Sequence, residues 1–203
     1  MAYSTLAKLK DQLGIGSSDT TRDTLLNAAL TSVSEAINNH CERDFTAATG
    51  VASPRVLSGR GGRVQMTADG PVIRTPDIGS ATGLAVAYGF TGGAYAATSS
   101  VLELYPLDEV ERGWAATGVL VVSGSVPTGT GARLEITADW GWPATPAVVE
   151  QATLLQAGRI FKRKDSPEGV LGSAEWGAVR VSRVDPDVES MLAPLCHDIA
   201  LVG

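Results

Sequence analysis

The chain of 203 residues is 44% hydrophobic and 19% charged, a balance typical of a folded protein and not of a disordered one. Its formal net charge of −6 at pH 7 argues against a protein that wraps nucleic acid with a general basic surface. No run of about 18 apolar residues is present and the amino terminus lacks the apolar core of a signal peptide, so we expect no membrane association.

Two amphipathic helices are predicted at the start of the chain. Thr5 can cap the first helix and Gly14 can end it. Its apolar stripe consists of Leu6, Leu9 and Leu13. The second helix has apolar residues at spacings of three and four, namely Leu26, Leu30, Val33, Ile37 and Cys41. Both helices need a partner surface, because most helical stability in proteins comes from packing such a face.

Short apolar runs replace the helical pattern beyond Phe45. Each run is bounded by Gly, Pro, Asp or Ser, as strands between tight turns usually are. The runs are residues 56–57, 64–66, 72–73, 84–88, 101–105 and 118–122. The glycine-rich segment 88–95 is typical of a hairpin tip, because glycine adopts positive φ without strain. We interpret this middle region as antiparallel β structure.

The segment 132–163 changes its period in the middle. In its first half Leu134, Ile136 and Ala138 alternate with polar residues, which predicts a half-buried strand. A compact aromatic sequence follows, composed of Trp140, Gly141, Trp142 and Pro143. We predict that these four residues form a structural corner that fixes the sheet against the next helix, since two tryptophans bury large areas.

Two further helices are predicted after this corner. Thr145 can cap the third helix and Pro146 suits its first turn. Its recurring apolar positions are Val149, Ala152, Leu155 or Gln156, and Ile160. Residues 164–169 are predicted to form a loop and residues 178–182 a strand. Asp185 and Pro186 can begin the last helix, whose stripe is Val188, Met191, Leu192 and Leu195.

Helices therefore lie at both ends of the sequence and strands lie in the middle. Such segregation favours an α+β fold, here a helical bundle built from both ends of the chain with a central inserted antiparallel β domain. The predicted boundaries are residues 1–48 for the N-terminal helices, 49–140 for the β domain, and 141–203 for the C-terminal helices with a hairpin-like loop.

A basic cluster ends the third predicted helix, formed by Arg159, Lys162, Arg163 and Lys164. Positive residues in a last turn complement the helix dipole, which is one explanation. The other is a contact surface for DNA phosphate or for an acidic partner protein. We name these four residues as candidate partner-binding residues.

No metal, cofactor or catalytic site is predicted. The pairs His40-Cys41 and Cys196-His197 could offer zinc ligands if the helix ends met, but neighbouring helical residues point about 100° apart. We expect the two cysteines to be reduced thiols. The acidic positions Asp185, Asp187 and Glu189 lack the glycine and closing glutamate of a calcium loop. Phosphate-loop and GxSxG motifs are also missing from the sequence.

The order of these signals resembles the head-tail connector (adaptor) proteins of long-tailed bacteriophages. Residues 3–15 and 25–45 are similar to the two N-terminal helices of that family, and residues 69–73 and 104–106 to its strand junctions. Residues 136–152 are similar to its strand-Gly-Trp-x-x-x-Pro-helix signature. These segments together cover most of the chain.

The resemblance implies a structural virion protein without a cofactor, located in the neck of the particle and, during assembly, in the host cytoplasm. It implies a ring, expected to be a dodecamer, that binds beneath the portal protein and contacts a head-completion (stopper) or tail protein. Genomic DNA would pass through the lumen without sequence-specific binding. The alternatives are another phage neck or tail-completion protein and a small cytoplasmic hydrolase with a site in the β domain.

Overall fold

The computed structural model describes residues 2–60, 62–163, 170–171, 179–180 and 185–196. The chain divides into two compact units, which we call the helical unit (Met1–Phe45 and Thr145–Gly203) and the sheet unit (Thr46–Ala144). The helices are α1 Leu6–Leu13, α2 Asp23–Cys41, α3 Ala147–Arg163 and α4 Pro186–Leu192. The strands are β1 Ser53–Ser58, β2 Val64–Met66, β3 Pro71–Phe90, β4 Ala96–Ala97, β5 Val101–Tyr105, β6 Ala116–Val122, β7 Ala132–Trp140, β8 Val170–Leu171 and β9 Val179–Arg180.

The N-terminal and C-terminal helices pack together, and α3 contacts the other three helices. The predicted caps of α1 and α4 are confirmed. Oγ1 of Thr5 accepts a hydrogen bond from the amide of Lys8, and Gly14 ends α1 with a φ of 68°. Asp185 caps α4 by accepting from the amide of Asp187 at 3.0 Å. Together with the antiparallel sheet of the other unit, these packed helices confirm the predicted α+β fold class.

The apolar face predicted for α2 is confirmed, because all five of its residues are buried. The face predicted for α3 is only partly right: Ile160 is 39% exposed, whereas Phe161 is buried. The buried residues of α3 are Val149, Ala152, Thr153, Leu154, Ala157, Gly158 and Phe161. Gly158 faces α1, because a Cβ at this position would make an ordinary van der Waals contact of 3.6 Å with Cδ2 of Leu13.

The start of α3 differs from the predicted cap. Oγ1 of Thr145 donates a hydrogen bond to the carbonyl oxygen of Phe45, 3.0 Å away, within the helical unit. The carbonyl of Pro146 accepts from the amides of Val149 and Glu150 and so begins the helix. The Thr145 hydroxyl thus joins the two chain segments of this unit. The predicted loop 164–169 lies outside the described residues, and of the predicted strand 178–182 only β9, paired with β8, is described.

The sheet unit is an antiparallel sheet of seven strands in the order β1-β7-β3-β6-β5, with β2 and β4 also paired to β3. The runs 72–73 and 84–88, predicted as separate strands, belong to one long strand, β3. Its first part pairs with β6 and its second part with β7, with register shifts between Arg74 and Ala85. The turn between β3 and β4 confirms the predicted hairpin tip.

The core of the sheet unit contains the inward-facing residues of β7, so the alternation predicted for Leu134, Ile136 and Ala138 is confirmed. The whole cluster consists of Ile73, Ile78, Val86, Ala116, Val119, Val121, Leu134, Ile136, Ala138 and Trp140.

Across the described ranges, none of the helices has the length and apolar character needed to cross a bilayer.

Candidate functional site

The candidate partner-binding residues lie at the end of α3. Lys162 and Arg163 occupy its last turn and are exposed, while Arg159 is partly buried one turn earlier. Lys164 lies outside the described residues. The two exposed cations stand where the carbonyl end of the helix dipole favours positive charge. This placement agrees with both explanations of the cluster, dipole stabilisation and partner contact.

Arg159 forms an ion pair with a residue near the start of α4. Its Nη1 lies 2.6 Å from Oδ2 of Asp185, and the side chains are 28% and 31% exposed. Asp185 is also the capping residue of α4. The ion pair therefore connects α3 to the first turn of α4 inside the helical unit. We infer that Arg159 positions the first turn of α4.

The predicted corner is densely bonded within the sheet unit. Trp140 is 9% exposed and its Nε1 donates to the carbonyl oxygen of Ser53 at 2.7 Å. The guanidinium of Arg55 lies 4.5 Å from the centre of the Trp140 ring. Trp142 is 1% exposed, and its ring centre lies 5.9 Å from that of Trp114. Both tryptophans thus serve the internal packing of this unit.

Gly141 brings two backbone segments of the sheet unit together. Its φ is 125°, and a Cβ there would lie 2.6 Å from the carbonyl oxygen of Thr46, so no larger residue fits. The amide of Trp142 donates to the same Thr46 oxygen at 2.9 Å, and the amide of Ala48 donates to the Trp142 oxygen at 2.7 Å. Pro143 follows, partly buried. That the corner also fixes the sheet against α3 stays a prediction.

A buried carboxylate that the sequence reasoning missed completes this corner. Asp139 is 2% exposed, and its side-chain oxygens accept hydrogen bonds from the amides of Thr49 and Gly50 at 3.1 to 3.2 Å. These bonds hold the loop that leads into β1. The sequence feature that could have identified this residue is an aspartate next to a tryptophan at an otherwise apolar strand end, because a buried charge without hydrogen bonds would be costly there.

A buried tyrosine links the chain start to the end of α2. The hydroxyl of Tyr3 accepts from the amide of Phe45 at 2.9 Å and donates to Oδ1 of Asp44 at 3.1 Å, and the side-chain amide of Asn38 is its third partner. Burial is the main reason that the pKa of Tyr3 is raised to about 12. The hydrogen bond from the Phe45 amide lowers this pKa, and the nearby Asp44 charge raises it.

A second polar contact joins α1 to α3. Nζ of Lys8 lies 2.5 Å from Oε1 of Glu150, which also accepts from the hydroxyl of Ser4 at 3.1 Å. The hydrogen bond from Lys8 is the largest cause that holds the pKa of Glu150 below its ordinary value. This side chain is partly exposed, so solvent screens the pair. The contact joins α1 to α3 within the helical unit.

The cysteines correct one expectation. Cys41 and Cys196 are paired as a disulfide, so the expectation of two reduced thiols is wrong in this structure. Folding brings the end of α2 beside the segment after α4, where Nη1 of Arg43 also donates to the carbonyl oxygen of Leu195 at 3.1 Å. His197 lies outside the described residues. Within the described ranges, no three His, Cys, Asp or Glu side chains are grouped to hold a metal ion.

No family model matches the sequence, and no curated protein matches it. The chain is similar to a solved structure described as the neck of an empty gene transfer agent particle computed with C6 symmetry, with 18% identity and a TM-score of 0.59. It is also similar to a chain in the virion of a native gene transfer agent particle, with 19% identity and a TM-score of 0.55. Each match covers 97% of this chain and 91% of the other chain. At these identities the comparison shows that the chain shares their fold over nearly its whole length.

Proposed function

We propose that this chain is a structural head-tail connector (adaptor) protein of a phage-like particle. It forms a ring beneath the portal, links the DNA-filled capsid to the head-completion (stopper) or tail proteins, and lets genomic DNA pass through the lumen. The observation that carries the proposal is the fold shared over 97% of this chain with a chain from the neck of a gene transfer agent particle. The family-like order of sequence motifs supports it independently.

The polar groups of the described residues support a structural role over an enzymatic one. The buried side chains of Tyr3 and Asp139 each hold a neighbouring backbone segment through hydrogen bonds. Asp77 likewise bonds the indole of Trp142. In a hydrolase, acids, bases or nucleophiles converge on the substrate, whereas these side chains bond to backbone and indole groups of the protein itself.

The exposed cations at the end of α3 supply a surface for docking to the portal. Lys162 and Arg163 are two neighbouring exposed basic residues in a chain whose formal net charge is −6. Such a site favours an acidic partner surface or DNA phosphate. In this proposal Arg159 acts indirectly, because its ion pair with Asp185 places α4 beside the exposed residues.

Electron microscopy of the purified protein mixed with portal-containing capsids tests the proposal. The expected result is ring-shaped density at the portal vertex, with the number of subunits readable from its rotational symmetry. Capsids assembled without portal are the control and should stay undecorated. Absence of binding to portal-containing capsids would overturn the proposal. Binding to tails alone would identify the protein as a tail-completion protein.

A further inference from the structure

Strands β1 and β5 lie at the two ends of the strand path β1-β7-β3-β6-β5, and the shorter strands β2 and β4 also pair with one strand only, β3. In the described part of the chain, β1 pairs with β7 alone and β5 pairs with β6 alone. Both edges expose apolar side chains: Val56 on β1 is 52% exposed, and Val101 and Tyr105 on β5 are 63% and 37% exposed. An open strand edge with exposed apolar residues is a surface that proteins usually cover or guard.

The two edges carry opposite charge. Residues 46–68, which include β1, contain the three arginines Arg55, Arg60 and Arg63 and no acidic residue. Residues 98–112, which include β5, contain four acidic residues, namely Glu103, Asp108, Glu109 and Glu111, and one basic residue, Arg112, which pairs with Glu109. Each edge therefore combines an apolar centre with charges that match the other edge and repel a copy of itself.

We infer that the β1 edge of one subunit docks against the β5 edge of a second copy of this chain. This inference rests on the proposed ring and names the surfaces that would build it. A contact between two different surfaces of the same subunit repeats around an axis and closes into a ring when its rotation allows. A contact of either edge with itself would bring like charges together, which opposes a two-fold dimer.

The β1 edge is shaped for side-chain docking. Pro54 has no N–H to donate, which limits a continuous ladder of backbone hydrogen bonds across the contact. Arg60 and Arg63 line an open hollow of about 470 Å³ together with Thr128 and Thr130. Guanidinium groups bind carboxylates through paired hydrogen bonds, so this hollow can receive an acidic side chain from the neighbouring β5 edge.

Charge reversal of each edge tests the inference. One variant carries R55E and R60E on the β1 edge; the other carries E103R and E111R near β5. Asp108 is avoided because its φ is 63°, a conformation that arginine tolerates poorly. Arg55 also contacts Trp140, so an R60E single variant keeps the test valid if the double variant folds poorly. Circular dichroism and thermal melting check the fold of each variant.

Each single-edge variant should associate on the order of tenfold or more weakly than the parent protein, because like charges now face each other. An equimolar mixture of the two variants should recover assembly, since every contact in an alternating ring again pairs opposite charges. A chain that carries both sets of substitutions should recover it as well. Sedimentation velocity and electron microscopy, with and without portal-containing capsids, provide the measurements.

A photo-crosslinker placed at Val56 identifies the contact directly. The expected product joins this position to a peptide within residues 101–111 of another copy. The inference fails if no such product forms in either the free or the capsid-bound protein, if single-edge variants assemble like the parent, or if the mixture does not recover. Portal binding by the parent protein is scored separately, so loss of the ring contact and loss of the proposed function give different results.

Discussion

Nε1 of Trp142 donates a hydrogen bond to Oδ2 of Asp77 at 3.0 Å, and both side chains are buried in the sheet unit. The backbone oxygen of Asp77 also accepts from the amide of Gly141 at 2.9 Å. One aspartate thus holds both the backbone and the indole of the corner after β7. Its position in the middle of β3 connects that corner to the long central strand.

Replacing Asp77 with alanine should destabilise the protein by about 1 to 3 kcal/mol, because the buried indole N–H of Trp142 loses its acceptor. Urea denaturation followed by tryptophan fluorescence measures the loss. The control is Asp69→Ala, which removes an exposed aspartate from the turn between β2 and β3. Equal effects of the two substitutions would contradict a structural role for the Asp77 hydrogen bond.

Replacing Trp140 with alanine should destabilise the protein by about 3 to 5 kcal/mol, since the ring packs in the core of the sheet unit. The matched control is Phe90→Ala on β3, whose side chain is 59% exposed. Its effect should be small, because little apolar area leaves the interior. A negligible loss for Trp140→Ala in thermal melting would instead indicate an aromatic residue available to a partner.

Substitutions at the basic end of α3 should affect capsid binding and protein stability differently. Lys162→Glu with Arg163→Glu should weaken binding to portal-containing capsids and should also lower the unfolding free energy by about 0.3 to 1 kcal/mol per residue, because negative charges are unfavourable in the last turn of a helix. Arg159→Ala should instead cost about 1 kcal/mol or less of stability, because it removes a partly exposed ion pair with Asp185. Normal capsid binding by the double variant would favour the helix-dipole explanation alone.

Stability should fall at alkaline pH because of Tyr3. Its pKa in the folded protein is about 12, against an ordinary value of 10.0, so the folded state retains the proton to higher pH than the unfolded state. The contribution is complete below pH 10.0 and is lost as the pH rises through about 12. Unfolding free energies across this range should fall less steeply for Tyr3→Phe. Tyr88, whose pKa burial also raises, remains in both proteins and cancels in the comparison.

The alkaline prediction has a spectroscopic control. Tyrosinate absorbance in the folded protein should show a titration near pH 12 that is missing from Tyr3→Phe. The variant also loses the bond that the hydroxyl accepts from the Phe45 amide, so its stability at neutral pH should be lower than that of the parent. Identical alkaline slopes for the two proteins would show that Tyr3 ionises equally in both states.

The sequence by itself determined the elements whose causes are local. The stripe of α2, the caps Thr5 and Asp185, and the alternation of β7 follow from side-chain spacing and from the bonding of neighbouring backbone groups. Segregated helical and strand patterns were enough to predict the α+β class. The basic cluster and the aromatic corner were also visible as groups of neighbouring residues.

Only the tertiary structure decided which distant residues meet. Arg159 and Asp185, Trp142 and Asp77, and Cys41 and Cys196 come together because packed helices and paired strands fix their positions, and no spacing in the sequence encodes those distances. The same reason explains which face of α3 is buried: Phe161 packs in the interior, whereas Ile160 stays exposed. It also explains why the two oppositely charged segments lie far apart in the sheet, since strand order places β1 and β5 at the two ends of the path β1-β7-β3-β6-β5.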